Sequence, residues 1–241
     1  MNFVSPSQNY WDRNYQNLNF NFIPNDGYLR KWLEHYFSNG NLTAFEVGCF
    51  PGGYLAIFGK LGYELNGIDL TPRVNSDLPQ WLASQGYRLG KFYQDDFLKF
   101  KTNKKFDVVY SLGFLEHFTN WEEVVIKQAE LVNPNGYLVV GVPNFRGGLQ
   151  RALHYLFDRD NYYKHYLPAM NYKKWRTILE SQGFKIIFSG YIGQFDFWAA
   201  GRLNPYFSKF GLPIISWLKK NIKFNHGFFS PYICLLARKA D

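Results

Sequence analysis

Two acids, Glu46 and Asp69, bracket the glycine-rich stretch FEVGCFPGGYLAIFGKLGYELNGIDL, each at the end of a short apolar run. Between them Gly48, Gly52 and Gly53 allow a sharp backbone turn and a close approach to a ligand that a Cβ would exclude. A carboxylate placed after a strand can chelate the two hydroxyls of a ribose. The pair and the turn therefore point to a nucleoside-bearing cofactor. Asp95 and Asp96 form a second acidic position downstream, and Phe97 follows them. His117, in LEHF, and His165, in YYKHYLPAM, are the base candidates, because imidazole titrates near neutrality. His154, beside Leu153 on an apparent helix, reads as structural. No pair of His or acidic residues shows metal-ligand spacing along the chain, so no metal site is expected.

These groups need strands and turns to present them. TAFEV reads as a strand ending at Glu46, Tyr54–Leu61 as a helix closed by Gly62, and YELNGI as a strand ending at Asp69. A right-handed βαβ unit puts Glu46, the turn and Asp69 at the carboxyl edge of a parallel sheet, where open α/β sheets bind ligands. Helical spacing also covers Gly27–Phe37, Asp77–Gln85, Trp121–Leu131 and Tyr172–Gln182. Further strands are expected in GYRLGKFYQ, Phe106–Leu112, Tyr137–Val142, Phe184–Ser189 and Tyr232–Arg238, with Asn133–Gly136 as a turn. Residues 1–25 are aromatic without a clean period and read as a cover for the cofactor edge. Residues 193–230 read as a long insertion, with Pro213 forcing a break or a helix start.

Composition sets the bounds. A chain of 241 residues with 46% hydrophobic content can build one sizeable α/β core. No apolar run is long enough to span a membrane, and the N-terminal residues lack the pattern of a signal peptide. Cys49 and Cys234 suggest no disulfide framework. Together these fit a soluble cytoplasmic protein. The net charge of +8 is uneven: residues 1–144 carry 12 Lys+Arg against 14 Asp+Glu, and residues 145–241 carry 15 against 5. A localised excess suits an acidic or phosphorylated acceptor or an anionic membrane surface, and solvated lysines explain it equally. In the insertion, Lys209, Lys219, Lys220 and Lys223 alternate with Phe210, Ile214, Ile215, Trp217 and Phe224. That pattern could form an interfacial amphipathic surface, an intramolecular lid or a dimer contact.

The glycine spacing narrows the cofactor. A dinucleotide site needs G-x-G-x-x-G, and Phe50-Pro51 stands where its second glycine would be. Glu46-Val47-Gly48-Cys49 followed by Gly52 instead resembles the first motif of class I S-adenosylmethionine-dependent methyltransferases. Three other segments resemble that family in order: Asp95-Asp96-Phe97 after the third strand, FDVVYSLGFLEHF at the fourth, and LVNPNGYLVVGVPN at the fifth. ILESQGFKII resembles its last helix and sixth strand. The resemblance is closest to small-molecule members of the ubiquinone-biosynthesis and cell-surface sugar kind.

It implies a Rossmann-like, mostly parallel seven-stranded α/β sheet in the order 3-2-1-4-5-7-6, flanked by helices, with the last strand antiparallel. Glu46, Gly48, Phe50 and Gly52 would then meet the amino-acid end of S-adenosylmethionine. Asp69 and Leu70 would meet its ribose, Asp96 and Phe97 its adenine, and Ser111 and Leu112 its methionyl part. The expected reaction is methyl transfer to a small acceptor, most simply an oxygen of a sugar or another cell-surface or secondary-metabolite precursor. The N-terminal cover and the insertion would close the acceptor site. Nucleic acid is the rival substrate, prompted by the basic pI; Ser-Leu-Gly-Phe after strand four is not the N/D-P-P-Y/F loop that grips base amines. A dehydrogenase and a cofactor-binding protein without turnover are the remaining alternatives. The oligomeric state is not legible.

Overall fold

The computed structural model describes residues 3, 6–16, 18–199 and 207–241. Seven strands form one sheet: β1 (Thr43–Val47), β2 (Glu64–Asp69), β3 (Leu89–Gln94), β4 (Phe106–Leu112), β5 (Val132–Pro143), β6 (Phe184–Ile192) and β7 (Tyr232–Lys239). Their spatial order is β3-β2-β1-β4-β5-β7-β6. The pairings from β3 to β5 are parallel, and β7 runs antiparallel to both β5 and β6. The order reverses between β1 and β4, which puts a ligand crevice at the carboxyl ends of those strands.

Strand periodicity sorts the core into two layers. Val108, Tyr110 and Leu112 of β4 face one side with Ala44, Leu65, Val139 and Cys234. Helices α2 (Tyr28–Tyr36), α3 (Gly53–Lys60) and α4 (Asp77–Ser84) cover that side through Leu33, Leu55, Phe58 and Leu78. The alternate residues Phe45, Val47, Val109, Leu138 and Leu235 face the other side. There α5 (Trp121–Glu130) and α8 (Tyr172–Ser181) bury Trp121, Val124, Val125, Trp175 and Leu179. A period of two on each strand and about 3.6 on each helix is enough to build both layers. Cys49 and Cys234 are both buried free thiols.

Two local readings change. Residues 8–15 form a helix, α1 (Gln8–Tyr15), capped by the Ser7 side chain accepting from the Tyr10 N–H. Asn133–Gly136, expected as a turn, lies inside β5, with a register shift against β4 and Asn135 at φ 61°. Residues 145–170 supply α6 (Gly148–Phe157) and α7 (Arg159–Tyr163). In the insertion, α9 (Leu212–Asn221) follows a π-helical turn, Phe207–Gly211, and residues 200–206 of that segment lie outside the described residues. Phe207 and Ile215 pack with Leu153, Phe195, Phe197 and Phe229 into a small third cluster against α6. No helix among the described residues is long and apolar enough to cross a membrane.

Candidate active site

A cavity of about 680 Å³ opens at the carboxyl edge of β1, β2 and β4. Glu46, Gly48, Phe50, Gly52, Asp69, Leu70, Asp96, Phe97, Leu112 and His117 all line it, together with Asp95. Its floor is the turn after β1. Gly48 (φ 73°) and Gly52 (φ 86°) occupy the left-handed region that favours glycine. A Cβ on Gly48 would stand 2.5 Å from Cδ2 of Phe114, and one on Gly52 would stand 2.4 Å from Cδ1 of Leu78. The turn therefore admits no side chain at either position.

Each acid is held differently. Glu46 is buried, and Tyr110 Oη donates to its Oε2 at 3.2 Å. Burial pushes its carboxyl well above the ordinary carboxylate range, against the lowering effect of that hydrogen bond. Asp69 accepts the Phe50 N–H on Oδ2 and the Thr71 N–H on Oδ1, both at 3.1 Å. Its carboxyl is also raised, by burial first, with those N–H groups opposing. Asp96 Oδ1 accepts the Leu98 N–H at 3.0 Å, so this acid also caps its own turn. Asp95 Oδ1 in turn accepts the Asp96 N–H at 2.7 Å.

Phe50 both lines the cavity and belongs to the buried core on the α3 side of the sheet. Its ring is buried beneath Tyr15 (centroids 4.8 Å apart) and Phe20 (5.7 Å). The Arg73 guanidinium lies 5.0 Å from the Phe50 ring and 5.2 Å from the Phe20 ring, and it donates to the Tyr15 and Leu18 carbonyls. The N-terminal segment is thus fastened over the cavity, where Trp11, Tyr15, Leu18 and Ile23 line it. The insertion is not: none of the described residues 193–230 lines the cavity, which corrects the expectation that it closes the site. Ile215 of its α9 packs in the third cluster with Leu153 of α6.

Two other expectations shift. Ser111 does not line the cavity; it is fully buried, and its hydroxyl donates to Gln128 Oε1 of α5 at 3.1 Å. The cause is strand alternation, since Leu112 on the opposite face takes the cavity side. His165 does not line it either. It is buried behind His117, with ring centroids 5.0 Å apart.

Both histidines are held by bonds to main-chain carbonyls. His117 Nδ1 lies 3.0 Å from the Lys164 carbonyl, and His165 Nδ1 lies 2.7 Å from the Asn161 carbonyl. The Tyr166 N–H donates to the Glu116 carbonyl at 2.6 Å, joining the 161–166 segment to the 115–117 turn. Burial lowers the His117 imidazole to about 4 and the His165 imidazole to about 3, and it raises the Glu116 carboxyl to about 8. Glu116, beside His117 in the same turn, is 1% exposed. No local signal announced this trio, because His165 is brought in from a distant loop. His154 is buried as expected, paired to Asp158 at 3.0 Å.

Comparison with known proteins agrees with the fold. Residues 22–188 match the methyltransferase-domain family. Ubiquinone biosynthesis O-methyltransferase of Rickettsia canadensis is 24% identical over 116 residues, 48% of this chain and 49% of that protein. The chain thus spans about half the length of that curated relative. Among solved structures, a putative methyltransferase from Bacillus halodurans aligns with a TM-score of 0.59 and 17% identity, covering 88% of this chain and 99% of that one. Magnesium protoporphyrin IX methyltransferase from Synechocystis PCC 6803, crystallised with SAH, aligns at 0.55 and 17% identity over 95% and 92%. At such identities the structural likeness speaks for the fold, and the family match covers well over half of the chain. The chain belongs to the methyltransferase-domain family.

Proposed function

We propose that the cavity binds S-adenosylmethionine and that the protein methylates an oxygen of a small acceptor. The observation that carries this reading is the convergence of acids from three successive strand ends, Glu46, Asp69 and Asp96, on one cavity with an aromatic and histidine wall. S-adenosylmethionine supplies a methyl group already activated on a sulfonium. Glu46 would hold the amino group of the methionyl part, and its buried carboxyl would ionise on meeting that cation. Asp69 would accept from the ribose hydroxyls. Asp96 would accept from the adenine amine, with the Phe97 N–H at a ring nitrogen. The bare backbone of Gly48 and Gly52 would let the amino-acid end lie close.

On the acceptor side, Trp11, Phe114, His117 and Phe118 form the wall beyond Leu112. Methyl transfer is an in-line displacement, so alignment counts for more than acid catalysis. An acceptor oxygen would form the new C–O bond as the S–C bond breaks, with the S–C electron pair remaining on sulfur. The acceptor proton leaves toward His117. With Nδ1 facing a carbonyl, the neutral His117 ring carries its proton there, and Nε2 is the basic nitrogen. His165 acts from behind, as a positioning residue. Flat aromatic walls suit a ring-bearing acceptor, in keeping with a sugar or another cell-surface or secondary-metabolite precursor. The O-methyltransferase name of the curated relatives supports oxygen as the target.

Incubation of cell extract with the protein and a deuterated-methyl donor tests this. Label is expected in a small-molecule fraction, on oxygen. Label confined to RNA would replace the acceptor reading with a nucleic-acid one.

A second contact is favoured by one surface feature. Phe210, Ile214 and Trp217 are 60% or more exposed and fall on one face of the π-helical turn and α9, with Phe224 also 62% exposed. Lys220 and Lys223 stand close to them in the chain. We infer a peripheral contact with anionic lipid. The protein should co-sediment with anionic vesicles at low salt, and Trp217→Ser should reduce the bound fraction several-fold. A concentration-dependent dimer without vesicle binding would assign the stripe to self-association instead.

A further inference from the structure

The N-terminal cover brings a polar group to the cavity as well as an apolar wall. Tyr15, the last residue of α1, lines the cavity. Three contacts hold it. Its ring lies 4.8 Å from that of Phe50 and stacks on Trp11 at 5.6 Å and 27°. Its carbonyl accepts from Arg73 Nη1, and Arg73 is itself oriented by Asp77, whose Oδ2 stands 2.6 Å from Nε. A side chain held by two rings and by its main chain has little rotamer freedom left to lose when a ligand arrives.

The phenol stands beside Asp69. Phe50 ties the two residues together: its ring packs on Tyr15, and its N–H donates to Asp69 Oδ2 at 3.1 Å. The electrostatics agree. Burial first, and the Asp69 charge next, hold the Tyr15 phenol above its ordinary range. The Asp69 carboxyl in turn feels the charge of Asp12, one turn earlier on α1. The phenol therefore keeps its proton at neutral pH and is a hydrogen-bond donor. Among the described residues its hydroxyl has no hydrogen-bond partner.

A ribose hydroxyl can donate one hydrogen bond and also accept. An ionised Asp69 only accepts, so it takes up the hydroxyl protons and leaves the hydroxyl oxygens without a donor. A phenol at the same place supplies that donor. We propose that Tyr15 is a further cofactor-binding residue, its phenol donating to one of the ribose hydroxyls that Asp69 accepts from. Tyr15 lies outside every segment that resembles a motif of the family. Its role makes the N-terminal cover part of the cofactor site and not only a wall over it. The inference rests on the S-adenosylmethionine reading proposed above.

Tyr15→Phe keeps the ring and removes only the donor. The test is calorimetry of both proteins with S-adenosylhomocysteine and with its 2′-deoxy and 3′-deoxy forms. Tyr15→Phe should weaken S-adenosylhomocysteine about fivefold, the size of effect expected for one neutral hydrogen bond. One deoxy form lacks the hydroxyl that Tyr15 meets, and for that form the two proteins should agree within about twofold. A packing role would weaken all three ligands alike. That result, or an unchanged affinity for S-adenosylhomocysteine, overturns the proposal and leaves the S-adenosylmethionine reading standing. Failure of the unsubstituted protein to bind S-adenosylhomocysteine at all would sink that reading, and the role of Tyr15 with it.

Discussion

Asp69→Ala should weaken S-adenosylmethionine binding about 100-fold while the protein stays folded. The Asp69 carboxylate ends β2 and is pinned by two main-chain donors, the Phe50 and Thr71 N–H groups. Each oxygen keeps a further lone pair, and the two together match the two hydroxyls of a ribose. Hydrogen bonds to a charged group contribute about 1.5–3 kcal/mol each, so losing two at the lower figure gives about 3 kcal/mol. Every 1.4 kcal/mol is about tenfold in affinity, which sets the predicted factor. The same substitution removes the acceptor of the Phe50 N–H, so the cavity wall loosens as well. Calorimetry of the variant, with a melting curve to confirm folding, measures the effect. An affinity within about threefold of the unsubstituted protein would place the ribose elsewhere.

Gly48→Ala should lower stability by about 2–5 kcal/mol. Two costs combine: a left-handed backbone for a residue with a Cβ, about 1–2 kcal/mol, and overpacking, about 1–3 kcal/mol. The overpacking follows from the 2.5 Å approach to Phe114. For a domain of this size each kcal/mol shifts the melting temperature by about 2–4 °C. Gly86 separates the two contributions. It shares a positive φ of 77°, but nothing lies within 4 Å of its Cβ position. Gly86→Ala should therefore cost only the backbone part, about 1–2 kcal/mol. Equal melting shifts for the two variants would show that Phe114 yields freely and that the floor of the cavity is not tightly packed. Phe114→Leu added to Gly48→Ala should recover part of the loss.

The sheet was legible because its strands carry their own periods. β4 falls at Phe106–Leu112 as read from the sequence, since a buried strand bounded by charge and glycine allows little slippage. β1, β2 and the glycine turn were equally plain. What escaped was set by contacts between distant residues. α1 buries none of its residues in the core, so no apolar stripe marked it; its Trp11 and Tyr15 line the cavity instead. Ser111 was assigned by proximity to the sheet edge, and alternation turned it to Gln128. The Asn133–Gly136 stretch looks like a turn locally, yet pairing between β4 and β5 draws it into a bulged strand.

The acceptor side was the least legible part. Glu116 and His117 are neighbours in sequence, but His165 joins them only because the 161–166 segment bonds back to their turn through Lys164 and Tyr166. Spacing along the chain could not reveal that cluster. The insertion misled for the opposite reason: its composition is that of a lid, whereas the position of β6 and β7 at the far end of the sheet carries it toward α6. The N-terminal cover does lie over the cavity, with Arg73 as its fastening.

Titration calorimetry of the unsubstituted protein with S-adenosylmethionine, and separately with NAD, tests the central claim most directly. The account predicts saturable one-to-one binding of S-adenosylmethionine and no heat with NAD. Binding of NAD alone, or of neither, would contradict it.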